Sequence, residues 1–345
     1  MDYNVAWLDL NERLRETACG GGGLAAALYE LEEHQRESGF IKDDLASVER
    51  HVFHHPDNPD LSFRVQYNPK RALRFNGSGV RTPPAEAVSL NDGCFLCREN
   101  IRWQQQHTQV GFEISTTHDV YYALMNPFPL LPNHVVIAKE DHISQEWDMT
   151  GDGQNGVSLQ RLLRDLCETA HRLPNHVGFY NGVDAGASIP THLHFQFVSR
   201  LPSDPVFPLE QRKFRPSEDD DGPLLAVDYP VPVALWRGTV ADVVDAATSW
   251  LRGWAEGNEH RLNQLTCNFI AAGQELSGGV SLYFVPRDRT RQRWNATYGL
   301  VGGLETLGEL VFSSEKEKLL LRNGRVDYFY VEQALASGHT PFFVD

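Results

Sequence analysis

The sequence predicts an α+β protein, and three observations carry that prediction. His192, His194 and Gln196 alternate with apolar residues at a strand's period. Short β-rich runs separated by turns fill residues 63–200. Amphipathic helical stretches at Val157–Leu173 and Thr239–Gln264 each precede a further strand-like run. With 345 residues and 41% hydrophobic content, the chain is long enough to bury two cores.

Residues 1–62 read as a mainly helical N-terminal extension, with Leu24–Gln35 a helical stretch after the Gly20–Gly23 breaker. Residues 63–205 form the first β-rich unit. Leu201–Pro223 is Pro-rich and holds four successive carboxylates, Glu218–Asp221, which read as a solvated linker. Residues 225–345 form a second unit, in which a helix leads to Thr266–Ala272 and then to a strand at Val280–Pro286.

A net charge of −15 argues against broad nucleic-acid binding, which needs a positive field to displace counterions. Small phosphorylated ligands need only local basic groups and N–H donors. No run approaches the ~18 apolar residues that span a bilayer, and the acidic start MDYNVAWLDLNERLRE lacks the basic and apolar regions of a signal peptide. A cytoplasmic location is expected. Five cysteines, an odd number with one close pair, suit a reducing compartment and a metal site better than a disulfide framework.

The chemistry concentrates in Tyr180–Ser199, YNGVDAGASIPTHLHFQFVS. Successive strand side chains point to opposite faces, so both imidazoles and the Gln196 amide share one face while Leu193, Phe195 and Phe197 share the other. Just before them, Gly182, Gly186, Ala187 and Ser188 make a small-residue loop whose backbone N–H groups can approach an anion. An imidazole beside such a cradle can attack phosphorus. A half-buried strand with hydrogen-bonded histidines is the alternative reading of the same pair.

The pattern N-G-x-x-x-G-x-S-x-x-x-H-x-H-x-Q resembles the active-site strand of the histidine-triad superfamily. Glutamine at the third triad position is similar to the transferase branch, which includes galactose-1-phosphate uridylyltransferase, diadenosine tetraphosphate phosphorylase and the GDP-hexose phosphorylases. The wording ASIPTHLHFQ is nearest to the GDP-hexose phosphorylases. Pro190 and Thr191 lengthen the turn beyond most members, so Ser188 matches less securely than His194.

Gly93–Asn100, GCFLCREN, resembles the zinc-binding segment of the uridylyltransferases. By that resemblance Cys94, Cys97, His142 and His192 hold a structural zinc ion in a closed Cys₂His₂ set. A C-x-x-C alone also fits buried small hydrophobes or a redox pair. In the same family the N-x-F-P segment lines the nucleotide pocket, which places Asn126 at a base or ribose and Phe128 against the base; core packing is the other reading of Phe128. Arg71 and Arg74, in YNPKRALRF, resemble the family's N-P-x-R segment and are expected at outer phosphates, unless they form a solvated face.

The resemblance implies two histidine-triad-like halves, each an antiparallel sheet with helices on one face, behind the N-terminal helical extension. It implies a nucleotidyltransferase or phosphorylase in which His194 attacks the α-phosphorus of a GDP- or UDP-hexose to form a nucleotidyl-histidine. Phosphate or a sugar 1-phosphate is then the acceptor. Gln196 stabilises shifting charge, with Asn181, Ser188 and the Gly186 loop completing the surroundings. The alternatives are a diadenosine tetraphosphate phosphorylase or hydrolase, and a non-catalytic nucleotide-binding protein. Neither a nucleic-acid nor a membrane partner is expected, and the chain is expected as a monomer or homodimer.

Overall fold

The computed structural model describes residues 2–41, 43–76, 91–104, 108–148, 157–218, 222–274, 278–291 and 301–343. In chain order these form α1 (Tyr3–Thr17), α2 (Gly23–Glu37), β1 (Glu49–His55), β2 (Asn58–Tyr67), α3 (Arg98–Gln104), β3 (Phe112–Ser115), β4 (Val120–Met125) and β5 (Val135–Lys139). There follow β6 (Trp147–Asp148), β7 (Val157–Ser158), α4 (Leu159–His171), β8 (His176–Asn181) and β9 (His194–Ser199). The remainder is β10 (Phe214–Pro216), β11 (Leu224–Ala226), β12 (Ala234–Gly238), α5 (Val240–Gly257), β13 (Leu265–Gly273), β14 (Val280–Asp288), α6 (Gly303–Thr306), β15 (Glu309–Phe312), α7 (Glu315–Arg322) and α8 (Tyr328–Ala336).

Ten strands make one antiparallel sheet in the order β10-β11-β12-β14-β13-β8-β9-β5-β4-β3. That order contains a repeat. From one end run three consecutive strands, β3, β4 and β5, then β9 and β8; from the other run β10, β11 and β12, then β14 and β13. In each run a helix, α4 or α5, precedes the last two strands in sequence. The two five-stranded motifs join through β8 and β13, with Asn181 opposite Asn268 and Ala272 opposite Val177. The sheet thus contains a clear repeat of topology.

The helices cover one face. Leu162, Leu163, Leu166, Cys167 and Ala170 of α4 recur at helical spacing and are fully buried with Phe195, Phe197 and Phe269 of the sheet. In α5, Val244, Ala247, Leu251 and Trp254 repeat the device, and Thr239 caps that helix by accepting from Asp242 N. Helices α1 and α2 bury Trp7, Leu14, Leu28 and Leu31 in the same core. On the opposite face a second core gathers Val177, Phe179 and Val198 with Leu209, Val233 and Leu304.

The N-terminal extension is helical only over part of its expected length. Residues 49–67 instead make an antiparallel hairpin, and β15 adds in parallel to β2 as a third strand. Phe63, Val65 and Tyr67, inside the unit expected to be β-rich, alternate toward a small core with Leu310, Phe312 and Val331, and β1 in the stretch read as helix pairs with that strand. Asp219–Asp221 of the expected acidic linker lie outside the described residues. Among the described residues, no helix is long and apolar enough to cross a membrane.

Gly178 on β8 lies under the ring of Phe197, opposite it on β9; a Cβ there would stand 2.2 Å from Phe197 Cε1. Gly178→Val should therefore destabilise the fold by ~1–3 kcal/mol, the usual cost of overpacking. The measurement is a urea unfolding midpoint at unchanged slope.

Candidate active site and metal cluster

Strands β8 and β9 pair from His176↔Ser199 to Phe179↔Gln196 and then part. Buried backbone groups beyond that point need partners, and the side chain of Gln145 supplies them. Its Oε1 accepts from His194 N at 2.8 Å, while its Nε2 donates to His194 O at 3.0 Å and to Asn181 O at 2.9 Å. Gln145 is fully buried, and the Tyr180 hydroxyl donates to its carbonyl. The sequence carried no signal for this role.

His194 is buried, with Nδ1 at 2.8 Å from the His192 carbonyl. A carbonyl only accepts, so Nδ1 carries the proton and Nε2 keeps its lone pair. Burial pushes the imidazole pKa down to about 4, which favours the neutral ring. This is the tautomer an Nε2 nucleophile requires.

Gln196 shares that face, half-buried. Its amide is oriented by a residue that the sequence reading did not select. Leu130 N donates to His134 Nδ1 at 3.1 Å, so His134 Nε2 bears the hydrogen, and that nitrogen lies 2.9 Å from Gln196 Oε1. With its oxygen engaged there, Gln196 presents its NH₂ elsewhere. The β5–β9 register puts Val136 opposite Gln196, so His134 arrives two residues along from a direct cross-strand partner.

The loop after β8 turns sharply. Gly186 has φ +105°, and a Cβ there would stand 2.7 Å from the Gly302 Cα. Asn181 is buried at the loop's start, its Oδ1 accepting from Gly303 N at 2.7 Å and from Asn268 Nδ2 at 2.9 Å. Ser188 is exposed on the same loop.

Cys94, Cys97, His142 and His192 come together from α3's approach, the end of β5 and the turn before β9. One ligand atom from each lies within 4.8 Å of all the others. His142 Nδ1 and His192 Nδ1 are 3.2 Å apart, Cys97 Sγ is 3.3 Å from His142 Nδ1, and Cys94 Sγ is 3.4 Å from His192 Nδ1. Tetrahedral zinc with two thiolates and two imidazoles spaces its ligands by roughly 3.3–3.8 Å, so the donor set fits that ion. His192 Nε2 donates to Lys139 O at 2.7 Å, the outer hydrogen bond that leaves Nδ1 free to ligate.

The nucleotide-pocket candidates lie on the turn between β4 and β5. Asn126 Oδ1 accepts from Phe128 N at 2.9 Å, closing an Asx-turn, and Phe128 is buried. Arg71, expected at outer phosphates, is buried and donates through Nη1 to the Phe128 carbonyl. Beside it Asn68 Nδ2 donates to Pro129 O at 3.0 Å, so the segment around Arg71 braces this turn. Lys70 pairs with Asp44 at 3.0 Å and Asp43 at 3.3 Å. The side chain of Arg74 lies outside the described residues.

A family described as a domain of unknown function, DUF4922, matches residues 31–199, which takes in Cys94 through Gln196. Comparison with curated protein sequences gives no match. Among solved structures, yeast Ap4A phosphorylase Apa2 is similar with a TM-score of 0.56 at 15% identity, over 90% of this chain and 94% of that one. The same enzyme in complex with Ap4A gives a TM-score of 0.56 at 15% identity, over 90% of this chain and 97% of that one. Its complex with AMP gives 0.55 at 15% identity, over 90% and 96% respectively. The chain shares the fold of these phosphorylase structures.

Cys97→Ser should lower both the metal content and the melting temperature of the protein, because metal-binding energy contributes to folding. Elemental analysis of untagged protein should give about one zinc per wild-type chain for a single Cys₂His₂ set and much less for the variant. Metal-free protein of undiminished stability would count against the site.

Proposed function

We propose that this chain is a nucleotide phosphorylase that cleaves dinucleoside polyphosphates, of which Ap4A, diadenosine tetraphosphate, is the first candidate, through a covalent nucleotidyl-His194. The observation that carries the reading is the orientation of two side chains on one strand face: His194 with a bare Nε2 and Gln196 with its amide NH₂ turned outward. Gln145 ties the His194 backbone to that of Asn181, which heads the glycine loop. The shared fold of the Ap4A phosphorylase structures supports this substrate class over the hexose nucleotides. On this reading residues 63–205 are the catalytic half and residues 225–345 the non-catalytic half.

His194 Nε2 attacks the α-phosphorus. A P–N bond forms as the bond from that phosphorus to its bridging oxygen breaks, and the electron pair leaves on ATP. The imidazole now carries charge, held by the Nδ1–H bond to the His192 carbonyl. Gln196 donates to a non-bridging oxygen, where negative charge shifts as the phosphorus becomes five-coordinate. An oxygen of inorganic phosphate then attacks the same phosphorus, the P–N pair returns to Nε2, and ADP leaves. Asn126 and Phe128 serve the nucleoside, Asn181, Gly186 and Ser188 the phosphates, and Arg71 holds the Asn126 turn in place. Zinc in the Cys₂His₂ cluster would cross-link the turn before β9 to β5 and α3's approach, fixing the strand that bears His194.

A second reading, a nucleotide-sugar phosphorylase, is favoured by one observation: the assembled Cys94, Cys97, His142 and His192 cluster, which resembles the zinc set of the uridylyltransferases. Incubation with Ap4A, GDP-hexoses and UDP-hexoses, followed by intact-mass analysis, separates the two by the mass of the adduct. His194→Gly should abolish that adduct while leaving the melting temperature near wild type. Label exchange at a normal rate in His194→Gly would remove the covalent mechanism.

Gln196→Ala should slow adduct formation by the ~10²- to 10³-fold typical of losing one such donor. His134→Phe keeps a ring in place but releases the Gln196 amide, so its loss should be smaller and should not add to that of Gln196→Ala. Single-turnover rates of the two single variants and the double variant measure this coupling.

A further inference from the structure

The second half bears no H-x-H-x-Q, yet one of its residues, Asn268, reaches the loop of the first, and a second, Arg287, stands behind it. Arg287, at the end of β14, is only 6% exposed. Among the described residues its guanidinium bonds only neutral oxygens: Nη1 donates to Val301 O at 3.1 Å and to Asn268 Oδ1 at 3.4 Å, and Nε is buried without a partner. Asn268 is fully buried, and its Nδ2 donates to Ala185 O at 2.7 Å and to Asn181 Oδ1 at 2.9 Å.

These contacts have a direction. Guanidinium has five N–H donors and no acceptor, so it turns the oxygen of Asn268 toward itself. Asn268 must then offer its NH₂ to Asn181 and to the Ala185 carbonyl. Asn181 must answer with its oxygen, which also takes the Gly303 N–H at 2.7 Å. With its oxygen occupied twice, the Asn181 amide keeps its N–H groups for the loop, where its Nδ2 lies 3.4 Å from a Cβ built at Gly186.

We infer that Arg287 and Asn268 are positioning residues for phosphate binding: the non-catalytic half sets the polarity of the Asn181 amide so that it donates to the α-phosphate of a nucleotide. The inference rests on the proposed function for its substrate. Its physical content is that groups with no choice of role, the donor-only Arg287 and Gly303 N–H and the acceptor-only Ala185 carbonyl, together orient two amides in series. Among the described residues Arg287 has no carboxylate at ion-pair distance, the Glu305 charge acting from farther away, and a buried cation so placed is costly to keep. A role confined to stability gives no reason for it.

The test uses Asn268→Asp and Arg287→Met in the full-length protein, with AMP affinity by calorimetry and the single-turnover rate of adduct formation from Ap4A. Asn268→Asp keeps shape and pairs well with Arg287, but puts an acceptor where Asn181 Oδ1 needs a donor. Arg287→Met removes the buried charge for an apolar chain of similar length, so the melting temperature should hold or rise. The inference expects AMP affinity to fall about tenfold or more and adduct formation by ~10²-fold in Asn268→Asp, as for loss of one phosphate donor. Arg287→Met should shift both the same way without loss of stability. Wild-type affinity and rate in either folded variant would overturn it, as would losses in Arg287→Met that only track a lowered melting temperature. If wild-type protein binds AMP but forms no adduct, the catalytic reading fails, and the affinities alone decide the relay.

Discussion

The parting of two buried strands around one glutamine is the constraint on which the site depends. Where β8 and β9 lose each other, the backbone of His194 and the carbonyl of Asn181 stand in the interior without ladder partners, and the side-chain amide of Gln145 satisfies them together. An amide can do this because it offers a donor and an acceptor side by side, as a strand does. Beyond that point β8 leads into the loop headed by Asn181, while β9 begins at His194.

Each polar group at this parting is oriented by a partner that has no choice of role. The His192 carbonyl can only accept, so it assigns the His194 proton to Nδ1. The Leu130 N–H can only donate, so it assigns the His134 hydrogen to Nε2 and the Gln196 oxygen to that hydrogen. The Lys139 carbonyl does the same for His192 and leaves its Nδ1 to the cysteine cluster. Backbone groups, one on β5 and two in turns beside the strands, therefore decide the tautomers of three histidines, and through His134 the direction of the glutamine amide. Such a network is pre-organised: little has to reorient when charge moves.

The repeat of five strands gives the second motif a place in this arrangement. Because β13 lies directly against β8, Asn268 sits opposite Asn181, and the end of β14 brings Arg287 within reach of it. The sheet seam thus carries polar contacts from one motif to the loop of the other. Helices on one face supply apolar burial for both motifs at once, through a single core that holds α1, α2, α4 and α5 residues together.

The sequence by itself determined the α+β class, the strand that carries His194 and Gln196, and the helices before β8 and β13, because strand and helix periods are local properties of the chain; His192, expected on the same strand, lies in the turn before it. Through resemblance it also pointed to Cys94, Cys97, His142 and His192, which the fold brings within ligand distance from three separate segments. It misread residues 49–62, where a strand hairpin lies beside helices and its third strand, β15, comes some 240 residues later. Arg71 shows the limit most plainly: a basic residue in sequence is as compatible with an outer phosphate as with a buried carbonyl, and only the packed turn at Phe128 distinguishes them. Gln145 and His134 were invisible for the same reason. Their roles consist of hydrogen bonds to groups that are distant in the chain, or whose freedom depends on where two strands separate. Only the tertiary structure decides which buried donors and acceptors are left without partners and which side chains stand close enough to supply them.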